Sequence, residues 1–192
     1  NSIVSLVYSG LFSLNQNLNI EPELVDTYKT NSKYGTVTVK LKSGVTFQNG
    51  VALTAYDVKF TVEAIKYYGS KGFYYDYASK ISYVQVNSNL SLTIHFINPR
   101  DAALDNLIFP IVSSKQYSSI YEFVKATNYK PIGTGQYKYS SYNQLKYLRL
   151  KPYNNYFGDV AKNKIEFDVL PNKKTISSLM TIDSITAYLS KS

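Results

Sequence analysis

The chain has 192 residues, 44% of them hydrophobic and 15% aromatic, which is enough apolar material to bury a core and excludes a disordered polymer. Its formal net charge is +8, but the basic residues are scattered and the longest basic cluster is Lys173-Lys174, so no stripe forms of the kind that nucleic-acid binding requires. There is no cysteine and one histidine, which leaves no disulfide framework and no clustered Cys/His metal site, and offers a nucleophilic Ser a single candidate base.

In chain order, Ile3 to Tyr8 reads as a short helix with Gly10 as its terminator. Leu11 to Leu14 is extended, Asn15-Gln16-Asn17 is a turn, and Pro22 breaks any helix through Ile20-Glu21-Pro22. Thr36 to Leu41 alternates polar and apolar residues, the mark of a half-buried strand. Asn49-Gly50 supplies a turn that tolerates positive φ. Thr54-Ala55-Tyr56-Asp57 has the spacing of a capping box, with Thr54 as the cap and Asp57 reaching back, worth about 1 kcal/mol. Val58, Val62 and Ile65 then give the helix one apolar face, and Phe60, Ala64 and Tyr67 give it a second. A helix packed on two sides serves the fold rather than a ligand.

Gly69 to Gly72 is a loop, followed by the aromatic cluster Tyr74, Tyr75 and Tyr77. Ile81 to Val86 and Leu90 to Phe96 flank Asn87-Ser88-Asn89 as a β-hairpin, which Pro99 ends. His95 lies in the alternating second strand without a second metal donor, so it reads as structural. Asn89-Leu90-Ser91 is a glycosylation-type sequon on the turn and marks it as exposed. Short helices follow over Ala102 to Ile108 and Ser119 to Thr127. A second hairpin spans Gln136 to Tyr142 and Leu145 to Leu150, and a strand runs from Ile165 to Leu170. Thr175 to Leu189 reads as a final helix with Ile176, Leu179, Met180 and Ile185 facing inward. Hairpins mixed with helices argue an α+β (mixed α/β) fold rather than a regular βαβ repeat. No run of about 18 apolar residues exists, and the N-terminus has neither a basic segment nor an apolar leader. The lack of an initiating Met suggests a fragment or a processed mature piece. The 20 tyrosines fit either compositional drift or the walls of a ligand cleft.

Several short runs gain weight from their order: Tyr8-Ser9-Gly10-Leu11, Glu21-Pro22-Glu23-Leu24-Val25, Leu41 to Gly50, Leu53 to Phe60, Pro131-Ile132-Gly133-Thr134-Gly135-Gln136-Tyr137, and Asn154-Asn155-Tyr156-Phe157. Together they resemble the extracellular solute-binding proteins of the peptide/nickel ABC-importer family (family 5, oligopeptide/dipeptide-binding type) over almost the whole chain. Lys42, Gln136 and Phe157 depart from the family's usual Arg, Pro and Trp.

The resemblance implies the N-terminal lobe of a clamshell like the type II periplasmic binding proteins, with an extra small subdomain. Residues 1–20 would begin the main lobe, 21–130 would form the inserted subdomain, and 131–192 would return to the main lobe; the second ligand-binding lobe is absent from this chain. It further implies the substrate-binding component of an ABC importer, which captures oligopeptides and hands them to membrane permease subunits, and is not an enzyme. Such a protein would be an extracellular monomer, periplasmic where there is an outer membrane, anchored to the membrane by a segment outside this chain. It would need no cofactor, catalytic residue or metal. Tyr8, Ser9, Gly10, Leu11, Gly133, Thr134 and Gly135 would lie at the ligand wall, where glycines let backbone approach a ligand closely. Tyr74, Tyr75 and Tyr77 would flank it. An oligosaccharide binder of the same family is an alternative, since Tyr rings stack on sugar faces, as is a cell-surface adhesion or structural module of the same fold.

Overall fold

The structure is a computed structural model that describes residues 2–126, 130–144 and 146–168. It opens with helix α1 (Ser2–Val7), strands β1 (Phe12–Leu14), β2 (Ile20–Pro22), β3 (Val25–Asn31) and β4 (Thr36–Leu41), and the long helix α2 (Ala55–Tyr68). The short helix α3 (Tyr75–Ala78), the hairpin β5 (Ile81–Ser88) and β6 (Ser91–Phe96), and helix α4 (Ile120–Lys125) follow. Strands β7 (Tyr137–Asn143), β8 (Tyr147–Pro152) and β9 (Ile165–Asp168) complete the described chain. All strands pair antiparallel, in sheets ordered β1-β2, β3-β4-β6-β5 and β7-β8-β9.

Alternation in β4 and β6 builds the core. Val37, Val39 and Leu41 of β4 and Leu92, Ile94 and Phe96 of β6 are buried. Their register places Val37 opposite Ile94 and Val39 opposite Leu92, so both apolar sets share one face. A slip of one residue would turn that face to solvent, which fixes the pairing. Val58 and Val62 of α2 join the same buried cluster, and the opposite side of α2 carries Phe60, whose ring meets Phe123 of α4 at 5.8 Å and Tyr117 at 6.4 Å. The two-sided packing expected of this helix is therefore present for Phe60 and Ala64, but Tyr67, at its C-terminal end, is exposed.

The capping box at Thr54 forms. Gly50 adopts a φ of 85° in its turn, as Asn49-Gly50 requires. The strand expected at Thr36 to Leu41 has those bounds, and both hairpins form, but β5 runs on to Ser88, so the first turn is Asn89-Leu90 rather than Asn87-Ser88-Asn89, and the return strand of the second hairpin begins at Tyr147. Other details differ. The Val25–Asn31 strand was not anticipated, because Asp26, Lys29 and Asn31 dilute its alternation; it pairs with β4 along the sheet edge. The helix expected over Ala102 to Ile108 consists instead of 3-10 turns at Pro99–Asp101 and Leu104–Leu107. The loop expected to hold Tyr75 and Tyr77 contains α3. The helix expected at Thr175 to Leu189 lies outside the described residues, as do Thr127, Leu145 and the end of the strand begun at Ile165.

Two of the runs that carried the resemblance meet through one side chain. The Gln48 amide donates to the carbonyls of Tyr137 (2.7 Å), Val7 (3.0 Å) and, at longer range, Gly135 (3.3 Å), and its oxygen accepts from the Gly133 amide at 3.2 Å. The Gln48 amide N–H itself bonds the Gly133 carbonyl at 2.9 Å. Beside it the Tyr153 hydroxyl donates to the Phe47 carbonyl at 2.8 Å and lies 2.6 Å from the Thr46 hydroxyl. The loop after β4 thus holds together the end of α1, the Gly133–Gly135 segment and the two strands that follow. Because these groups are largely withdrawn from water, Gln48→Ala is expected to cost about 2 kcal/mol, read from urea unfolding; a change within a few tenths of a kcal/mol would show that the clasp contributes nothing.

Candidate functional site

The segment Ser9–Phe12 runs between two others. On one side the Ser9 carbonyl accepts from the Ile111 amide at 2.9 Å and Gly10 forms an antiparallel bridge with Pro110. On the other, the Leu24 amide donates to the Gly10 carbonyl (3.2 Å) and the Glu23 amide to the Leu11 carbonyl (3.0 Å). A Cβ on Gly10 would stand 2.8 Å from the Phe12 carbonyl oxygen and 3.0 Å from that of Phe109, so glycine is what allows the three segments to lie this close. Alongside them opens a cleft of about 500 Å³, lined by Tyr8, Gly10, Phe12, Glu23, Tyr74, Ile108 and Pro110, with Val4, Ser5 and the Ser13–Leu18 turn at its margin. A smaller apolar groove of about 260 Å³, between α2 and Phe123, shares Tyr74 with it.

Among the described residues, Glu23 is the one charged residue lining the cleft. One carboxylate oxygen accepts from the Gly10 amide at 2.8 Å. Burial pushes its pKa up, and the Gly10 bond, the nearby Ser9 hydroxyl and the charge of Lys42 only partly restore it. Lys42 does not pair with it; the Lys42 ammonium sits over the Phe157 ring, 5.1 Å from the centroid. Tyr156 feels the same environment, its phenol raised first by burial and then by the negative charges of Glu23 and Asp159. The linkage follows from the sign of the shift at Glu23. An acid raised on folding supports the native state most below the unfolded carboxylate range and loses that contribution as pH rises through its folded pKa. Glu23→Gln, which carries no charge, is therefore expected to gain in melting temperature relative to wild type as the buffer moves from about pH 4 to pH 7. A gap that shrinks over that range would contradict the assignment.

Of the residues expected at a ligand wall, Tyr8 and Gly10 line the cleft. Ser9 is buried between the flanking segments, and Leu11 belongs wholly to the core. Gly133, Thr134 and Gly135 are buried against α1 rather than along the cleft; the Gly135 amide donates to the Val7 carbonyl at 2.9 Å. Tyr75 and Tyr77 are half-buried in or beside α3 and do not line the cleft, whereas their neighbour Tyr74 does. Glu23, Ile108 and Pro110 were not singled out. The signal for Glu23 was an acid between Pro22 and a run of buried apolar residues, a position where a carboxylate needs a reason. His95 stacks on Tyr83 at 4.2 Å within the sheet, in keeping with a structural role. Among the described residues no group of three or more His, Asp or Glu is placed to hold a metal ion, and no helix is long and apolar enough to cross a membrane.

The sequence profile of the bacterial extracellular solute-binding proteins, family 5, middle region, matches residues 19–188. Glutathione-binding protein GsiB of Pectobacterium atrosepticum is 25% identical over 156 residues, which cover 81% of this chain and 30% of that protein. The chain thus spans about a third of the length of the curated relatives it matches. Among solved structures, NikZ of Campylobacter jejuni in complex with Ni(L-His) superposes with a TM-score of 0.86 at 23% identity, covering 94% of this chain and 37% of that one. The oligopeptide-binding protein AppA of Bacillus subtilis, in complex with a nonapeptide, gives 0.82 at 23% identity, covering 95% and 38%. A periplasmic oligopeptide-binding protein of Thermotoga maritima with mannohexaose bound gives 0.79 at 23% identity, covering 94% and 35%. The shared fold is part of a type II periplasmic binding protein.

Proposed function

The chain belongs to the bacterial extracellular solute-binding proteins of family 5, and from that membership we propose that it forms one wall of a ligand cleft in a protein that captures oligopeptides for an ABC importer. The observation that carries this reading is the cleft at Tyr8, Gly10, Glu23 and Tyr74, where two aromatic rings, a carboxylate and close-packed backbone converge. Such a mixture of apolar lining and few polar groups suits a small organic solute. A second lobe would close over it by hinge motion. The AppA–nonapeptide likeness supports peptide as the cargo. The partners would be the permease subunits, and the protein would act as a monomer held at the cell surface by a membrane anchor. A further reading, oligosaccharide capture, has the Tyr8 and Tyr74 rings and the mannohexaose-bound neighbour in its favour.

A thermal-shift screen of the full-length protein against tripeptide pools and oligosaccharides separates the two. A ligand that binds only the folded state stabilises it by about 2.7 kcal/mol at a hundredfold excess over Kd, which raises the melting temperature. A shift with peptides is expected. A shift with mannohexaose alone would replace peptide by sugar, and no shift with either would count against capture of both classes.

A further inference from the structure

We propose that the cleft selects ligands that present a cationic group, an ammonium or guanidinium, to the carboxylate of Glu23. This rests on the reading of the cleft as a solute site and names the chemistry that site would accept.

The chain as a whole carries a net charge of +8, yet among the described residues the one charged side chain lining its larger cleft is acidic. No ion pair engages Glu23: the pairs among the described residues are Lys40 with Asp26, Lys59 with Glu63 and Arg149 with Glu166, all on exposed side chains. Its fixed bond comes from a backbone amide, that of Gly10. Lys42, which acts on Glu23 only through space, is held over Phe157. A half-buried carboxylate without a counter-charge carries a desolvation cost, and folding alone gives little reason to retain it where a neutral acceptor would serve Gly10 equally well. A cation entering the cleft would supply the missing charge in a site already partly desolvated, where such a pair is strongest. Tyr8 and Tyr74 line the same cleft, and aromatic rings there add to the attraction for a cation. The Gly10 bond has a further effect: it fixes the carboxyl at the strand junction before any ligand arrives, so little side-chain freedom is lost on binding.

The test uses the full-length protein and four probes in titration calorimetry: trialanine, whose cation is its α-ammonium; an N-acetylated tripeptide with a central lysine, whose cation is a side chain; N-acetyl-trialanine, which has neither; and mannohexaose. At least one of the two cationic probes is expected to bind at least about tenfold tighter than N-acetyl-trialanine, and which one does so identifies the source of the charge. Glu23→Gln is expected to remove that preference, bringing the cationic and acetylated probes to similar affinity. The preference is measured on wild type, so a poorly folding variant does not spare the proposal. Equal affinity for charged and acetylated peptides overturns it, as does a preference that survives Glu23→Gln. Binding of mannohexaose alone overturns the cation inference and leaves solute capture standing, whereas binding of no probe overturns both.

Discussion

Gly133→Ala is expected to destabilise the chain by roughly 3 kcal/mol, the upper part of the range for overpacking a site that cannot yield. An alanine Cβ there would stand 2.1 Å from the Val7 carbonyl oxygen, 2.7 Å from the Tyr8 ring and 2.9 Å from the Tyr8 Cα. Two of these three are backbone atoms, and the Val7 carbonyl is already held by the Gly135 amide and the Gln48 side chain. The segment cannot move aside without breaking those bonds. For a chain of this size the loss corresponds to a fall in melting temperature of roughly 10 °C. Gly44→Ala is the control, since Gly44 has a φ of 74° but nothing within 4 Å of its would-be Cβ. Its cost should be the left-handed backbone strain alone, about 1 kcal/mol. Since Gly133 has no positive φ, similar falls for both variants would mean that the contact relaxes and that close packing does not make glycine necessary at position 133. The same contact bears on function, because Gly133 presses against Tyr8 and Tyr8 lines the cleft. Displacing it should disturb ligand affinity as well as stability.

Asp57→Ala is expected to cost about 4 kcal/mol, because it strips partners from two backbone amides at once. Asp57 is 1% exposed. One carboxylate oxygen accepts from the Thr54 amide at 2.8 Å and the Thr54 hydroxyl at 2.9 Å. The other accepts from the Ser114 amide at 2.7 Å and the Ser114 hydroxyl at 2.8 Å. The residue that caps α2 therefore also pins the chain leaving Val112, whose own amide bonds the Thr61 hydroxyl one turn further along the helix. Ser114→Ala removes a single hydroxyl and should cost only about 1 kcal/mol. Urea unfolding of both variants decides the matter: equal losses would reduce Asp57 to an ordinary helix cap.

The Asp57 pair illustrates how far the sequence could be read. Its reach back to Thr54 is a local event three residues long, so the spacing Thr54 to Asp57 announced it. Its bonds to Ser114 join positions far apart in the chain, and nothing in either neighbourhood marks the partnership. The same division holds elsewhere. Strand β4 was legible because one face of Thr36–Leu41 is buried and the alternation is clean. Strand β3 was not, because it lies at the sheet edge with residues 26 to 30 exposed, which leaves no apolar period to detect. The runs around Gly133 and Gln48 both stand out in the sequence, the glycines as points where backbone would approach a ligand. What approaches Gly133 and Gly135 in the structure is the C-terminal end of α1 and Tyr8. In the cleft itself Tyr8 and Gly10 were anticipated, while Glu23 was passed over as one letter of a loose pattern. Its importance comes from burial beside Gly10, which only the folded chain brings about.

Hydrogen–deuterium exchange on the full-length protein, with and without the peptide pool that gives the largest thermal shift, tests most directly the claim that this cleft is a ligand wall. Ligand is expected to slow exchange in the backbone amides around Tyr8–Phe12, Glu23 and Tyr74, and at Ile108, with the strands β8 and β9 unchanged. Protection confined to the apolar groove around Phe73 and Phe123, or absent from this chain altogether while ligand is bound, would contradict it.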